Sequence, residues 1–231
     1  MDSLDKISAE WDEMASDWDK MAFEYRDIME KEIWIHTGLD HTSSTAAPLK
    51  IVDFGCGTGL MTEAFMKNTQ GQEDAPKHTI LALDASPKMV EKVREKIAAN
   101  KKHWGDDGAV VAHHGYLSHF EESFSQEAKD YIKEHCMGKM DLIVASSVLN
   151  FVPKEHLDAT MKALASLLKP NGMLFHTDWP KDDEKAPDGF TTESAKEMYS
   201  MGNLEYKSST VITRNMFETE AKVFVGVAIK K

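Results

Sequence analysis

The sequence predicts an α/β fold in which a mostly parallel sheet is covered by helices on both faces. Short apolar segments alternate with amphipathic helical patterns along most of the 231 residues. The first of these segments runs directly into three glycines at alternate positions, 55, 57 and 59. The last two apolar segments have no helix between them, so we expect them to pair as an antiparallel hairpin at one end of the sheet.

Residues 4–36 are predicted to form one or two helices, because apolar side chains recur there every three or four positions. This stripe consists of Ile7, Trp11, Met14, Trp18, Met21, Tyr25 and Ile28. Two interpretations remain open. Either the stripe packs on the core, or it forms a lid in which Trp11, Trp18 or Tyr25 contacts a ligand.

The first half of the core is predicted to contain three strands. The first spans residues 50–54, and a helix begins after Gly59. A polar loop at 68–78 leads to a second strand at 79–83, which ends on Asp84. Ser86 and Pro87 are a typical N-cap and first-turn pair for the next helix, which closes near Asn100. The third strand lies at about 109–113.

The second half continues the same alternation. Ser118 and Glu121 fit a capping box, which predicts a helix that reaches Cys136. A strand at 140–145 precedes a helix that Pro153 starts. After a Pro-Asn-Gly stop at 170–172 we expect a strand at 173–177, a charged loop at 180–190 and a helix at 192–201, and finally strands at about 204–213 and 222–230.

Composition indicates a single globular domain over residues 1–231, with residues 1–45 as an N-terminal helical cap. The net charge is −12, from 39 acidic and 27 basic residues, which weighs against broad binding of nucleic acid. No apolar run is long enough to cross a membrane, and the acidic N-terminus lacks a secretory signal. Two cysteines, Cys56 and Cys136, cannot form a metal cluster by themselves, so we expect no metal site and a cytoplasmic location.

The glycine spacing limits the ligand. A dinucleotide-binding loop needs G-x-G-x-x-G, but the third position of that pattern is Leu60, and Gly59 comes one residue earlier. No Gly-Lys-Ser/Thr ending follows, so a triphosphate loop is also disfavoured. Asp84 ends the second strand, where its carboxylate can accept hydrogen bonds from ribose hydroxyls. The pattern therefore favours a nucleoside ligand without a pyrophosphate, and it disfavours an NAD-type oxidoreductase.

The chain resembles the class I S-adenosylmethionine-dependent methyltransferases in Asp53–Gly59, in Asp84–Met89 and in the terminal hairpin. The resemblance is close over about residues 45–178 and is to the small-molecule type, similar to methyltransferase domains of types 11 and 12. It implies a Rossmann-like seven-stranded sheet in the order 3-2-1-4-5-7-6, with the last strand antiparallel and an N-terminal helical lid. It also implies S-adenosylmethionine as the cofactor.

The resemblance further implies which residues bind the methionine and ribose parts of the cofactor. Gly55, Cys56 and Gly57 bring backbone against the methionine part, and Asp53 holds its ammonium group directly or through water. Asp84 accepts hydrogen bonds from the ribose hydroxyls. The alternatives are that Asp53 caps the glycine turn and that Asp84 caps the next helix without a ligand. A nucleophilic Cys56 is disfavoured, because no Cys-His partner is evident.

For the adenine and the reacting methyl group, the resemblance implies a second set of contacts. Ala85 and Met89 lie beside the adenine, and Ser146 faces the region of methyl transfer. Tyr116 and Leu117 occupy the place of the adenine-amine contact. Family members usually carry an acidic residue there, so Tyr116 departs from the pattern.

The methyl acceptor is predicted to be a small molecule, with O, N or S undecided. Members that act on nucleic-acid or protein amines often carry Asn/Asp-Pro-Pro-Tyr/Phe after the fourth strand, and residues 145–153 lack this motif. Candidate bases or substrate contacts are His113, His114, Asn150, His176, Asp178 and Trp179. Methyl transfer is an in-line displacement and needs a base only for a protonated, weakly acidic nucleophile, so a catalytic residue is not required.

The predicted function is therefore a methyltransferase that acts as a monomer or homodimer, without a nucleic-acid or membrane partner. The alternative from another class is a SAM-binding protein without turnover, either a sensor or a partner subunit.

Overall fold

The structure is a computed structural model, which describes residues 3–39, 47–67, 78–104, 109–182, 186–216 and 219–231. Its strands are β1 (Lys50–Phe54), β2 (Thr79–Asp84), β3 (Val110–His114), β4 (Met140–Ser146), β5 (Leu168–Asp178), β6 (Leu204–Met216) and β7 (Thr219–Lys230). Within the described residues they form one sheet in the order β3-β2-β1-β4-β5-β7-β6. The first five strands show parallel pairing, whereas β7 is antiparallel to both β5 and β6. The predicted order and the terminal hairpin are confirmed.

In chain order, the helices of the described residues are α1 (Ser3–Met14), α2 (Trp18–Thr37), α3 (Leu60–Lys67), α4 (Pro87–Ala99), α5 (Lys101–Trp104), α6 (Phe120–Ser123), α7 (Gln126–Tyr131), α8 (Lys154–Leu167) and α9 (Thr192–Met201). Short 3-10 turns occur at Leu117–His119 and Leu149–Phe151, and a π-helical turn follows α7 at Ile132–Cys136. Residues 1–115 and residues 116–231 each form a compact unit.

The N-terminal segment of the first unit consists of two helices, so its apolar stripe is not continuous. A turn at 15–17 separates α1 from α2, and Asp17 N donates to Met14 O at 3.1 Å. Met14 of the predicted stripe is 36% exposed, whereas Met29 and Ile33 of α2 are fully buried. Of the one or two helices predicted for residues 4–36, the structure has two, and the break at 15–17 falls within the predicted stripe.

The strands of the first unit are short and apolar because both of their faces are covered. Ile80, Leu81, Ala82 and Leu83 of β2 are each at most 1% exposed, which is typical of a central parallel strand. Helix α4 begins as predicted. Ser86 is its N-cap and accepts from Met89 N at 3.1 Å, and Pro87 is in the first turn.

The second unit differs from the prediction between β3 and β4, where one capped helix was expected. Ser118 lies inside a 3-10 turn, and the chain leaves the helical conformation at Phe124. The cause is local: Ser123 Oγ accepts from Tyr116 N at 2.8 Å and donates to Tyr116 O at 3.1 Å. This competes with helix continuation. Ser125 then caps α7 by accepting from Ala128 N at 3.2 Å.

The terminal strands are longer than predicted. β5 begins at Leu168, before the Pro-Asn-Gly segment, and a register shift between Met140 and Leu142 of β4 accommodates the extra residues. Asn171 adopts a φ of 63° there. In the hairpin, pairing continues to Met216 and Thr219, beyond the predicted ends at about 213 and 222.

Candidate functional site

The glycine loop after β1 is held against the end of β2 by its own amides. Gly55 N and Cys56 N both donate to Leu83 O, at 2.8 and 3.0 Å, and Gly59 N donates to Cys56 O at 2.8 Å. Gly55, Gly57 and Gly59 all have positive φ, between 52° and 86°, which explains why glycine occupies all three positions. The amides of Gly55, Cys56 and Gly59 already donate hydrogen bonds within the protein. What the loop offers a ligand is therefore close approach to its backbone.

Space around the second and third glycines is also restricted. A Cβ at Gly57 would lie 3.4 Å from Trp18 Nε1, and one at Gly59 would lie 3.1 Å from Val93 Cγ2. Gly59 thus lets α4 pack closely on the loop. Gly57 lies directly under the indole of Trp18, a residue predicted to contact a ligand.

Asp84 connects the two predicted cofactor loops. Its Oδ2 accepts from Gly57 N at 2.8 Å, and its Oδ1 accepts from Ser86 N at 2.8 Å. Burial raises the pKa of the Asp84 carboxyl to about 6, although these hydrogen bonds act in the opposite direction. Each carboxylate oxygen retains a lone pair that can accept a further hydrogen bond, so the site matches a pair of ribose hydroxyls.

Asp53 and Cys56 are both buried. Asp53 Oδ2 accepts from Thr62 N at 3.0 Å and from Thr62 Oγ1 at 2.6 Å, so it supports the first turn of α3. Burial raises the pKa of Asp53 to about 6. Burial likewise raises the pKa of the Cys56 thiol, so a thiolate nucleophile is disfavoured at this position.

Ala85, Met89, His113 and His114 are further predicted residues of the first unit. The carbonyl oxygen of Ala85 accepts from Ser8 Oγ at 2.7 Å and lies 3.0 Å from His114 Nε2. Met89 is 1% exposed in the first turn of α4. His113 is partly buried on β3, opposite Leu83 of β2.

The N-terminal helices contact both cofactor loops. Trp11 and Trp18 form an edge-to-face pair with ring centroids 5.2 Å apart. Asp12 Oδ1 accepts from Ser86 Oγ and, at 3.2 Å, from Lys88 N. The hydroxyl of Thr58 donates to Asp19, whose second oxygen lies 2.8 Å from Lys96 Nζ. Tyr25 lies in α2, but its side chain falls outside the described part of the structure.

In the second unit, the predicted cofactor residues have partners of their own. Tyr116 is bonded through its backbone to Ser123, and Leu117 is 5% exposed. Ser146 Oγ lies 3.1 Å from Thr177 Oγ1. The next residue, Ser147, has a φ of 57°, so the chain turns sharply at the end of β4. The cofactor roles of these residues remain predictions.

His176 and Asp178 form a buried chain with Tyr199. His176 Nδ1 lies 2.8 Å from Asp178 Oδ2, and His176 Nε2 lies 2.7 Å from Tyr199 Oη. His176 and Tyr199 are fully buried and Asp178 is 2% exposed, so this pair does not lie on the surface. Burial raises the pKa values of Asp178 and Tyr199. The side chains of His176 and Asp178 therefore lie in the interior and bond to each other.

Asn150 holds three segments of the second unit together. Its backbone N donates to Asp178 Oδ1 at 3.0 Å, its Oδ1 accepts from Trp179 N at 2.9 Å, and its Nδ2 donates to Asp188 O at 3.0 Å. Trp179, which belongs to this cluster, and Phe151, which follows Asn150, are 53% and 40% exposed. Large exposed aromatic side chains on a firmly held loop are typical of a binding surface.

The sequence patterns did not identify four polar residues that bond to the predicted site residues or to their loops. Tyr199 and Ser123 gave no signal, because single polar residues in amphipathic helices are common. Asp12 and Asp19 did carry one: each follows a tryptophan, and the two Trp-Asp pairs are seven residues apart. Within the described residues, no group of three or more His, Cys, Asp or Glu side chains is arranged to hold a metal ion. No described helix combines the length and apolarity needed to span a membrane.

A family model described as "Methyltransferase domain" matches residues 25–215. The malonyl-[acyl-carrier protein] O-methyltransferase of Halalkalibacterium halodurans is 31% identical over 137 residues, which are 58% of this chain and 41% of that protein. An uncharacterized methyltransferase of Emericella nidulans is 29% identical over 160 residues, 67% of this chain and 51% of that protein. The chain therefore spans about half the length of these curated relatives.

Solved structures with the same fold cover nearly the whole chain. The magnesium protoporphyrin IX methyltransferase of Synechocystis, solved with bound SAM, has a TM-score of 0.65 at 14% identity and covers 100% of this chain and 98% of its own. A TehB-like SAM-dependent methyltransferase of Corynebacterium glutamicum has a TM-score of 0.62 at 19% identity, covering 96% and 99%. At these identities the likeness concerns the fold.

Proposed function

The chain belongs to the class I S-adenosylmethionine-dependent methyltransferases, and on this premise we propose that it transfers a methyl group to an oxygen atom of a small molecule. When bound, the cofactor supplies an electrophilic methyl group on a sulfonium, which a nucleophile displaces in line. The chain's own residues then have to bind the cofactor and the acceptor, align them, and exclude water.

The cofactor fits the residues of the first unit. Asp84 is partly buried, and each of its oxygens accepts one backbone N–H, which leaves acceptor capacity for ribose hydroxyls. The glycine loop allows close approach to a ligand through Gly55 and Gly57, whose positive φ values favour glycine. Asp53 would hold the ammonium group, and Ala85 and Met89 would lie beside the adenine.

The observation that carries the small-molecule proposal is the set of hydrogen bonds made by Asn150. Its backbone N–H and both polar side-chain atoms bind Asp178, Trp179 and Asp188, so it holds loops rather than a planar amino group. Phe151 and Trp179 directly follow Asn150 and Asp178 in the chain, and both have exposed rings. We propose that these two rings contact an apolar part of the acceptor.

An oxygen acceptor is supported by the state of the candidate residues that follow β4 and end β5. His176 and Asp178 are buried and bonded to each other, and Asn150 has no basic group. An acceptor that is already deprotonated at neutral pH, such as a carboxylate, needs no base. The bacterial relative is named an O-methyltransferase, which agrees with this choice.

Turnover with isotopically labelled cofactor tests the proposal. A panel should contain an aromatic carboxylate, a phenol, a thiol and a primary amine. We expect label on the carboxylate first and then on the phenol. Label on the amine or thiol alone would contradict the oxygen assignment. Binding of S-adenosylhomocysteine without turnover on any acceptor would favour the non-catalytic alternative, a sensor or partner subunit.

Trp179→Ala tests the acceptor surface directly. Loss of an exposed aromatic contact should raise KM for the acceptor about tenfold, because such contacts contribute on the order of 1 kcal/mol or more. The affinity for S-adenosylhomocysteine should not change. Val211→Ala is the matched control, because Val211 is 50% exposed in the same unit and belongs to neither loop. An unchanged KM in Trp179→Ala would remove this residue from the acceptor site.

We also propose that the chain acts as one methyltransferase domain with residues 1–45 as a cap, in the cytoplasm and as a monomer or homodimer. Its net charge of −12 supports the absence of a nucleic-acid partner, because polyanions would be repelled. No membrane partner is proposed.

A further inference from the structure

Two carboxylates of the N-terminal helices contact the loops that are assigned to the cofactor. Asp12 of α1 contacts the loop after β2, and Asp19 of α2 contacts the glycine loop. Neither residue belongs to the motifs that indicate the cofactor site. We propose that Asp12 and Asp19 are positioning residues for the cofactor, each acting through a loop residue that it holds. The inference rests on the cofactor half of the proposed function and is independent of the acceptor.

The contact made by Asp12 is transmitted to Asp84 through Ser86. Ser86 Oγ donates to Asp12 and accepts from Met89 N at 3.1 Å, so its hydroxyl has a defined orientation. Ser86 N donates to Asp84 Oδ1 at 2.8 Å, and Asp84 Oδ2 accepts from Gly57 N at 2.8 Å. Asp12 thus begins a chain of hydrogen bonds that ends in the glycine loop.

Asp19 completes the chain from the other side. Asp19 accepts a hydrogen bond from the hydroxyl of Thr58. Thr58 is 1% exposed and directly follows Gly57. The second oxygen of Asp19 lies 2.8 Å from Lys96 Nζ, so a cation of α4 holds the carboxylate in place. Trp18 covers Gly57 in the same region. Both loops are therefore held by α1 and α2 at once.

The consequence concerns preorganisation. A ligand bound by two loops binds more tightly when the loops already have the arrangement of the bound state, because their ordering is not subtracted from the binding free energy. Asp12 and Asp19 lie on either side of the turn at 15–17, so the two helices fix the position of one loop relative to the other. Loss of either contact should weaken cofactor binding without deleting a cofactor contact.

The test is calorimetric titration of the full chain with S-adenosylhomocysteine. Asp12→Ala and Asp19→Ala should each weaken binding about tenfold, or about 1.4 kcal/mol. Asp12→Asn should stay within threefold of the wild type, because a single oxygen of Asp12 accepts both donors and an amide oxygen can do the same. Asp19→Asn should be as weak as Asp19→Ala, because Asp19 uses its second oxygen for Lys96.

Asp5→Ala is the matched control. Asp5 is an exposed carboxylate on α1, so the variant removes the same charge from the same helix, and wild-type affinity is expected. A merely structural role would lower the melting temperature of the ligand-free protein and leave the affinity of folded molecules unchanged. If Asp19→Ala does not fold, Thr58→Val removes the same hydrogen bond from the opposite side and should also weaken binding about tenfold.

Affinities of Asp12→Ala and Asp19→Ala within twofold of the wild type would overturn the inference, as would an equal loss in Asp5→Ala. A wild-type chain that does not bind S-adenosylhomocysteine would overturn the cofactor assignment itself. Absence of turnover with intact binding contradicts only the acceptor part of the proposed function. The two failures are therefore distinguishable.

Discussion

At the scale of single residues, Asp84 shows how burial and function oppose each other. Its carboxyl is buried enough to raise its pKa to about 6, even though Gly57 N and Ser86 N donate hydrogen bonds to it. Asp12 is a further negative charge nearby that acts in the same direction as burial. A ligand that donates hydroxyl hydrogen bonds to Asp84 favours the ionised form, so cofactor binding and ionisation should be linked.

The affinity for S-adenosylhomocysteine should depend on pH because of this linkage. The ligand prefers the ionised carboxylate, so binding should be constant above pH 7. It should weaken as pH falls through 6, by about tenfold per pH unit. Calorimetry between pH 5 and pH 8 measures this dependence. Asp84→Asn should bind weakly at every pH and show a shallower profile. A flat profile down to pH 5 in the wild type would contradict a role for Asp84.

At the scale of elements, the packing of β5, β7 and α9 depends on the absence of one side chain. Gly226 of β7 lies opposite His176 of β5 in the antiparallel pair. A Cβ there would lie 2.4 Å from His176 Nε2 and 2.2 Å from Tyr199 Oη. The buried hydrogen bond between His176 and Tyr199 therefore occupies the space that a larger residue at 226 would need.

Gly226→Ala should destabilise the protein by about 3 kcal/mol, because the added methyl group must displace a buried hydrogen-bonded pair. Urea unfolding followed by circular dichroism measures the loss. Gly138→Ala is the comparison: an added Cβ there meets nothing within 4 Å, so only the strain of its φ of 66° remains, about 1 kcal/mol. Equal losses in the two variants would show that steric overlap at Gly226 is not limiting.

At the scale of the whole molecule, the net charge and the stabilisation by a bound ligand can both be measured. The excess of 39 acidic over 27 basic residues makes the protein strongly anionic. This net charge is compatible with a sulfonium cofactor, which carries positive charge. A ligand that binds only the folded state stabilises the entire domain by mass action, so its effect can be measured on global unfolding.

S-adenosylhomocysteine at a hundred times its dissociation constant should stabilise the folded protein by about 2.7 kcal/mol. For a chain of this length that corresponds to a rise in melting temperature of about 5–10 °C. Differential scanning fluorimetry measures the shift, and NAD at the same concentration is the control. A shift with NAD and none with S-adenosylhomocysteine would contradict the assignment of the cofactor.

The strands of the first unit were predicted almost to the residue, and the helices of the second unit less well. β1 was expected at 50–54 and is Lys50–Phe54, because a continuous apolar run and a glycine turn define both of its ends. The helix expected from Ser118 to Cys136 is broken, because Ser123 binds the backbone of Tyr116. Serine can cap a helix or interrupt one, and the local sequence does not distinguish the two outcomes.

The sequence by itself determined the family and the order of elements, and it predicted the two cofactor loops. These depend on local patterns: glycine spacing, apolar runs, and an aspartate at a strand end. Only the tertiary structure decided that His176 and Asp178 are buried with Tyr199, and that Asp12 and Asp19 hold Ser86 and Thr58. The last two contacts join residues 74 and 39 positions apart. Hydrogen bonds of that range depend on how helices pack, and no local pattern of residue types specifies their partners.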